Sequence, residues 1–89
     1  MPGYAVLFSN LARDKFDRLI ASNRKLGEQI AKAIDRIAAH PEIGQLMKGV
    51  EWEDCRKYRS GDYRIIYRIE RSKLIIYILT LGNRKNIYQ

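Results

Sequence analysis

Apolar positions follow a helical rhythm in the first half of the chain and an alternating one in the second. Tyr4-Ala-Val-Leu-Phe8 is a short β-type run and predicts a first strand. Ser9 or Asn10 then supplies a helix N-cap, since a short polar side chain there accepts from an otherwise unpaired backbone amide. Leu11, Ala12, Phe16, Leu19 and Ile20 recur at helical spacing, with Arg13, Asp14, Asp17 and Arg18 facing away. Ser22-Asn23 interrupts this helix and caps the next. In the second helix Leu26, Ile30, Ala33, Ile34, Ile37 and Ala38 form one stripe, opposite Arg24, Lys25, Glu28, Lys32, Asp35 and Arg36. Pro41, which has no amide hydrogen to donate, ends it. The two helices predict an antiparallel hairpin. From Pro41 to Asp54 no period holds; Gly44 and Gly49 mark a loop, with room for a short strand near Leu46 and Met47. Cys55–Arg59, Asp62–Ile69 and Leu74–Leu81 are then three strands in series, joined by Ser60-Gly61 and by Glu70-Arg71-Ser72-Lys73. Joints this short make an antiparallel meander. The expected fold is α+β: an N-terminal strand, a two-helix antiparallel hairpin and a three-stranded meander, with the helices on one face of a four-stranded sheet. At 89 residues the chain makes one domain, residues 1–89.

Alternation divides that sheet into two faces. Tyr63, Ile65, Tyr67 and Ile69 point one way; Arg64, Ile66 and Arg68 point the other. With an even loop at Glu70–Lys73, Arg68 falls opposite Ile75 and Arg64 opposite Leu79. The arginine face then also holds Tyr77 and Leu81. Leu74, Ile76 and Ile78 make the other face the more apolar, so that side takes the helices and the arginine face stays open. If Ser60-Gly61 is the loop, Lys57 faces Arg64 and Cys55 faces Ile66. If Gly61-Asp62 is the loop, Arg59 faces Arg64. Either register sets two cations side by side, which destabilises a ladder but suits a surface that holds phosphate.

Charge narrows the partner. Seventeen Lys and Arg stand against 10 Asp and Glu, a net charge of +7, and the pI is near 9.8. Such a balance favours a polyanion. The single cysteine fits a reducing compartment better than a disulfide scaffold. No basic, then apolar leader opens the sequence, and the run Leu74–Leu81 is far short of the ~20 residues of a membrane span. A cytoplasmic protein with no membrane partner is expected.

Most catalytic chemistries find no footing. His40 ends the second helix, where it suits the helix C-terminus. No His, Cys or carboxylate cluster has metal-ligand spacing, and no glycine-rich phosphate loop is present, so neither a metal nor a small-molecule cofactor is expected. Cys55 has no histidine to activate it, and a strand cysteine more often belongs to the core. Trp52 is either a stacking platform or the cover of a core edge. RNA cleavage still fits, because RNA carries its own nucleophile in the 2′-hydroxyl. Lysine and arginine can stabilise the charge that develops on the phosphate. Arg84 and Lys85 lie beside Tyr88, so phosphate and a stacked base can bind together there. A phenol of pKa ~10, lowered by those cations, makes Tyr88 a candidate general base or acid. Arg56, Arg59, Arg68, Tyr77 and Lys85 complete the candidate RNA-binding set.

Arg59-Ser-Gly-Asp-Tyr-Arg-Ile-Ile-Tyr67, an apolar strand, and then Leu81-Gly-Asn-Arg-Lys-Asn-Ile-Tyr88 resemble the C-terminal half of RelE-type toxins of the RelE/ParE toxin–antitoxin superfamily. The strand–helix–helix–meander order extends the resemblance over essentially the whole chain. It implies a type II toxin: a metal-independent, ribosome-dependent endonuclease of A-site mRNA, neutralised by an acidic antitoxin. It also implies roles. Arg64 matches the central-strand arginine that contacts the scissile phosphate, Arg84 the arginine after the last strand, Lys57 a lysine of the preceding strand, and Tyr88 the terminal tyrosine. Cys55 departs from the pattern, standing where the best-known member has a second lysine; Arg56 or Arg59 is left to compensate. The ParE branch implies a different activity on the same fold, inhibition of DNA gyrase by binding. A third expectation is a member that binds an antitoxin without catalysing anything.

Overall fold

The computed structural model describes residues 3–83. Strand β1 (Ala5–Phe8) is followed by helices α1 (Asn10–Ser22) and α2 (Arg24–Ala39). Ser9 caps α1 and also ties it to the sheet. Its Oγ accepts from the Ala12 amide at 3.0 Å and donates to the Leu79 carbonyl at 2.7 Å. Asn23 alone joins the helices: its amide closes α1 on Leu19 O, and its side chain accepts from Leu26 N to open α2. A one-residue joint of this kind forces the helices antiparallel.

After a 3-10 turn at Pro41–Ile43 come β2 (Gln45–Leu46), a second 3-10 turn at Val50–Trp52, then β3 (Cys55–Ser60), β4 (Tyr63–Glu70) and β5 (Ile75–Asn83). The sheet has five strands in the order β1-β5-β4-β3-β2, with β1 parallel to β5 and the other pairs antiparallel. The expected four strands are all present, and β2, at Gln45–Leu46, fills the place left for a short strand near Leu46 and Met47 and joins the sheet as a fifth. Two residues cannot show alternation, and β2 is held by contacts remote in sequence. Tyr67 is fully buried; its hydroxyl donates to Pro41 O at 2.6 Å and accepts from Gly44 N at 2.9 Å. Arg56 donates to Gly44 O at 2.8 Å and to Glu42 O at 3.3 Å. Only glycine fits at 44, since a Cβ there would sit 2.5 Å from the Tyr67 hydroxyl.

The core lies between the helices and one sheet face. Ala12, Leu19, Ile30, Ala33, Ile34 and Ile37 meet Ile65, Tyr67, Ile76, Ile78 and Leu81. The α1 stripe is narrower than expected: Leu11 and Ile20, at its two rims, are exposed. Four expectations for β5 need correction. The β4–β5 turn closes Glu70 on Ile75, so Arg68 faces Tyr77 rather than Ile75. Leu74 is not on the helix face; it is exposed in a left-handed conformation (φ 54°) at the end of the turn. A bulge then leaves Leu79 unpaired between Tyr67↔Ile78 and Ile66↔Thr80, so Arg64 faces Gly82 rather than Leu79. One extra residue reverses the alternation. That is why Leu81, expected beside the arginines, is buried in the core opposite Ile65.

Replacing Tyr67 by Phe should remove about 1–3 kcal/mol of stability in urea unfolding at neutral pH, the cost of leaving buried backbone partners unsatisfied. Burial pushes the Tyr67 phenol up from its usual range, against the opposing pull of the Gly44 hydrogen bond and of Arg56. The neutral form is therefore favoured in the folded state. Above about pH 10 the unfolded chain releases this proton while the folded chain keeps it, so stability falls as pH rises. The gap between wild type and Tyr67→Phe should be full below pH 10 and shrink above it.

Candidate nucleic-acid interface on the open sheet face

The β3–β4 turn sets the register of the site. Gly61 and Asp62 form the loop, with Gly61 at φ 62°, a left-handed value that glycine adopts without strain. Of the two registers left open by the sequence, this selects Arg59↔Arg64, with Lys57↔Ile66 and Cys55↔Arg68. Directly paired residues share a face, so Lys57, Arg59, Arg64 and Arg68 all stand on the side away from the helices. Tyr77 joins them, with the Arg68 guanidinium carbon 5.5 Å from its ring centre. Arg56 does not join them. It pairs with Tyr67 on the helix side, and its guanidinium is engaged by the Glu42 and Gly44 carbonyls. Arg84, Lys85 and Tyr88 lie outside the described residues.

Among the described residues no ion pair neutralises the cations of this face. Among the described residues the ion pairs are Arg13–Asp17, Arg18–Asp14, Arg24–Glu28 and Arg71–Glu42, all involving the helices or the 3-10 turns. None includes Lys57, Arg59 or Arg64. Between the cations lies an apolar floor: Cys55 and Ile66, both buried, with Met47, Trp52 and Leu79 packed on them. Trp52 therefore does cover a core edge. It also lines, with Gln45, Leu46, Met47, Lys48 and Lys57, a cavity of about 390 Å³ beside the cations. The sequence marks Met47 only as part of a short strand and does not mark Gln45, because a two-residue β2 has no periodic signature.

Cys55 is buried within that floor. Desolvation pushes its thiol up, with Arg68 pulling the other way and Asp54 adding to the rise. A thiol held neutral is neither a nucleophile nor a base near pH 7. No group of three or more His, Cys, Asp or Glu among the described residues could hold a metal ion. No helix among them is long and apolar enough to cross a membrane. What the face offers is positive charge on a rigid sheet, with flat apolar surface next to it. That combination binds a phosphate backbone and its bases.

The architecture is thus a two-helix layer on one face of a mixed five-stranded sheet, with the other face open and cationic. The chain belongs to the family described as ParE toxin of type II toxin–antitoxin systems, which matches residues 6–88, within the RelE/ParE superfamily. It is similar to the mRNA interferase toxin RelE of Escherichia coli K12, with 29% identity over 76 residues, 78% of each chain. Its fold is similar to that in the toxin–antitoxin complex RelBE2 of Mycobacterium tuberculosis (TM-score 0.80, 23% identity, 97% of both chains). The isolated E. coli RelE toxin is also similar in fold (TM-score 0.74, 23% identity, 90% of this chain and 83% of that one).

The Cys55 thiol should resist Ellman's reagent at pH 8 in native buffer and react at once in 6 M guanidinium, about the usual strength for full denaturation. Rapid native reaction would mean that the floor opens and that Cys55 is available for chemistry.

Proposed function

We propose that the chain is a toxin that cleaves mRNA in the ribosomal A site and is held inactive by an acidic antitoxin. The observation that carries this reading is the Arg59–Arg64 cross-strand pair with Lys57 beside it, unneutralised by any carboxylate of the described residues. A pairing that costs stability is retained on the face left open by the helices. The similarity to an mRNA interferase toxin supports RNA as the polyanion.

The reaction needs little from the protein beyond charge and geometry. The 2′-hydroxyl loses its proton and its oxygen attacks the adjacent phosphorus. The bond from phosphorus to the 5′ oxygen breaks, and that oxygen takes up a proton. A cyclic 2′,3′-phosphate and a 5′-hydroxyl result, with no metal or other cofactor consumed. Arg64 and Lys57 stabilise the negative charge that grows on the phosphoryl oxygens. Arg84 adds to that charge term and Tyr88 handles a proton. Arg59, Arg68, Tyr77 and Lys85 hold the flanking strand. The ribosome presents that strand in the bent form that in-line attack requires.

Single-turnover cleavage on programmed ribosomes, with mRNA ends mapped by primer extension, tests this assignment. Arg64→Ala should slow cleavage by about 10²–10³-fold, the usual loss when one donor to a developing oxyanion is removed. Identical ends and rates for wild type and an Arg64→Ala/Arg84→Ala double variant would remove these residues from the site.

The family description favours one second reading, a gyrase inhibitor of the ParE kind. A supercoiling assay separates the two. Inhibition of gyrase by the purified chain, with no cleavage of ribosome-bound mRNA, would establish the second reading and overturn the first.

A further inference from the structure

We infer that the cavity beside Lys57 is a pocket for one nucleobase of the bound RNA, and that Gln45 reads its edge. This rests on the reading of the open face as an RNA surface, and it adds a source of sequence preference. Gln45 is paired directly with Lys57 across the β2–β3 ladder, so its amide stands on the open face next to that cation. Trp52 and Met47 supply flat and adaptable apolar walls, and the cavity holds about 390 Å³. Pockets that enclose small ligands start at roughly 300 Å³. Lys57 and Lys48 place positive charge at the same cavity.

The composition selects the ligand class. A free phosphate gains nothing from an indole and a thioether, and an aliphatic group gains nothing from an amide beside two cations. A nucleotide of an RNA strand uses all three: a flat apolar base face to stack, a base edge of donors and acceptors, and a phosphate joined through the ribose. Lys57 lies two residues along β3 from Arg59, about 7 Å at ordinary strand rise. A base in the pocket therefore lies within a short stretch of backbone of a phosphate held by Arg59 and Arg64. An amide carries one acceptor and a pair of donors, which match the N6 amino group and N7 of adenine in a two-point contact. Adenine is the base the pocket should prefer.

Trp52 is the only tryptophan in the chain and lines the pocket, so its fluorescence reports occupancy directly. The probes are 2′-O-methyl RNA trinucleotides, which cannot be cleaved, with the central base varied among the four. Saturable quenching is expected, strongest for central adenine. Gln45→Ala should weaken the adenine probe by about 5- to 150-fold, the span of one two-point base contact, and bring the four probes together. Lys57→Gln should weaken all four alike and flatten the salt dependence, as loss of a phosphate contact does. Gln45 is exposed, so its replacement is not expected to unfold the chain, and a thermal melt checks this. The same variant should redistribute the cleavage sites mapped on programmed ribosomes. Absence of saturable quenching by any probe, or an unchanged order of bases in Gln45→Ala, overturns the pocket even if wild type cleaves mRNA. Base-selective quenching without cleavage upholds the pocket and overturns the nuclease.

Discussion

The buried hydroxyl of Tyr67 organises more of this molecule than any other single group. It sits on β4, the third strand of five, with its ring in the main core and its oxygen joined to Pro41 and Gly44. Those two bonds fold the chain back after α2 and set Gln45–Leu46 against β3. Arg56 completes the clamp from the neighbouring strand. Without it the sheet would end at β3, and the strand bearing Lys57 and Arg59 would be an unprotected edge. The helix side of the sheet thus determines how well the opposite side is shaped. The arginine that serves this purpose, Arg56, is adjacent in sequence to a lysine of the open face, and alternation alone separates their tasks.

The open face itself is a compromise between packing and charge. Arg59 and Arg64 face each other across the ladder, and a sheet built for stability alone would place opposite charges there. The cost is limited because Arg59 is exposed and its guanidinium reaches water. The apolar floor of Cys55, Ile66, Met47, Trp52 and Leu79 compensates by giving this side a small core of its own. Cys55 fits that floor. A lysine at the same position would add charge to the face but leave Ile66 without a close apolar neighbour there.

Much of this architecture is legible in the residues. Helical spacing marks both helices, the Ser9 and Asn23 caps mark their starts, and alternation places Arg64 and Arg68 on the free side of β4. Three features are not fully legible, each for a physical reason. The bulge at Leu79 breaks alternation within a run whose one polar member, Thr80, is itself buried, so the sequence gives no clear in-out signal there; Leu81 consequently goes to the core. Strand β2 shows in the sequence only as room for a short strand near Leu46 and Met47, and its place in the sheet depends on Tyr67 and Arg56, which are remote in sequence. The β3–β4 register depends on whether glycine takes the first or the second position of a two-residue loop, and Ser-Gly-Asp allows both. The gyrase and ribonuclease readings share all of these features, since both activities use one fold, so the choice between them rests on individual side chains of the open face.

The parallel pairing of β1 with β5 has a consequence for how the protein is made. Among the described residues the first strand pairs with β5, the last of the five. The helical hairpin likewise covers Ile76, Ile78 and Leu81, all on β5. A nascent chain therefore carries an apolar helix pair whose sheet partners are incomplete until β5 has been made. Contacts this distant in sequence also form slowly. The β3–β4 ladder that carries Lys57, Arg59 and Arg64 can pair before β5 is made, so in that interval it is the apolar side of the fold, not the cationic one, that waits for its partner strand.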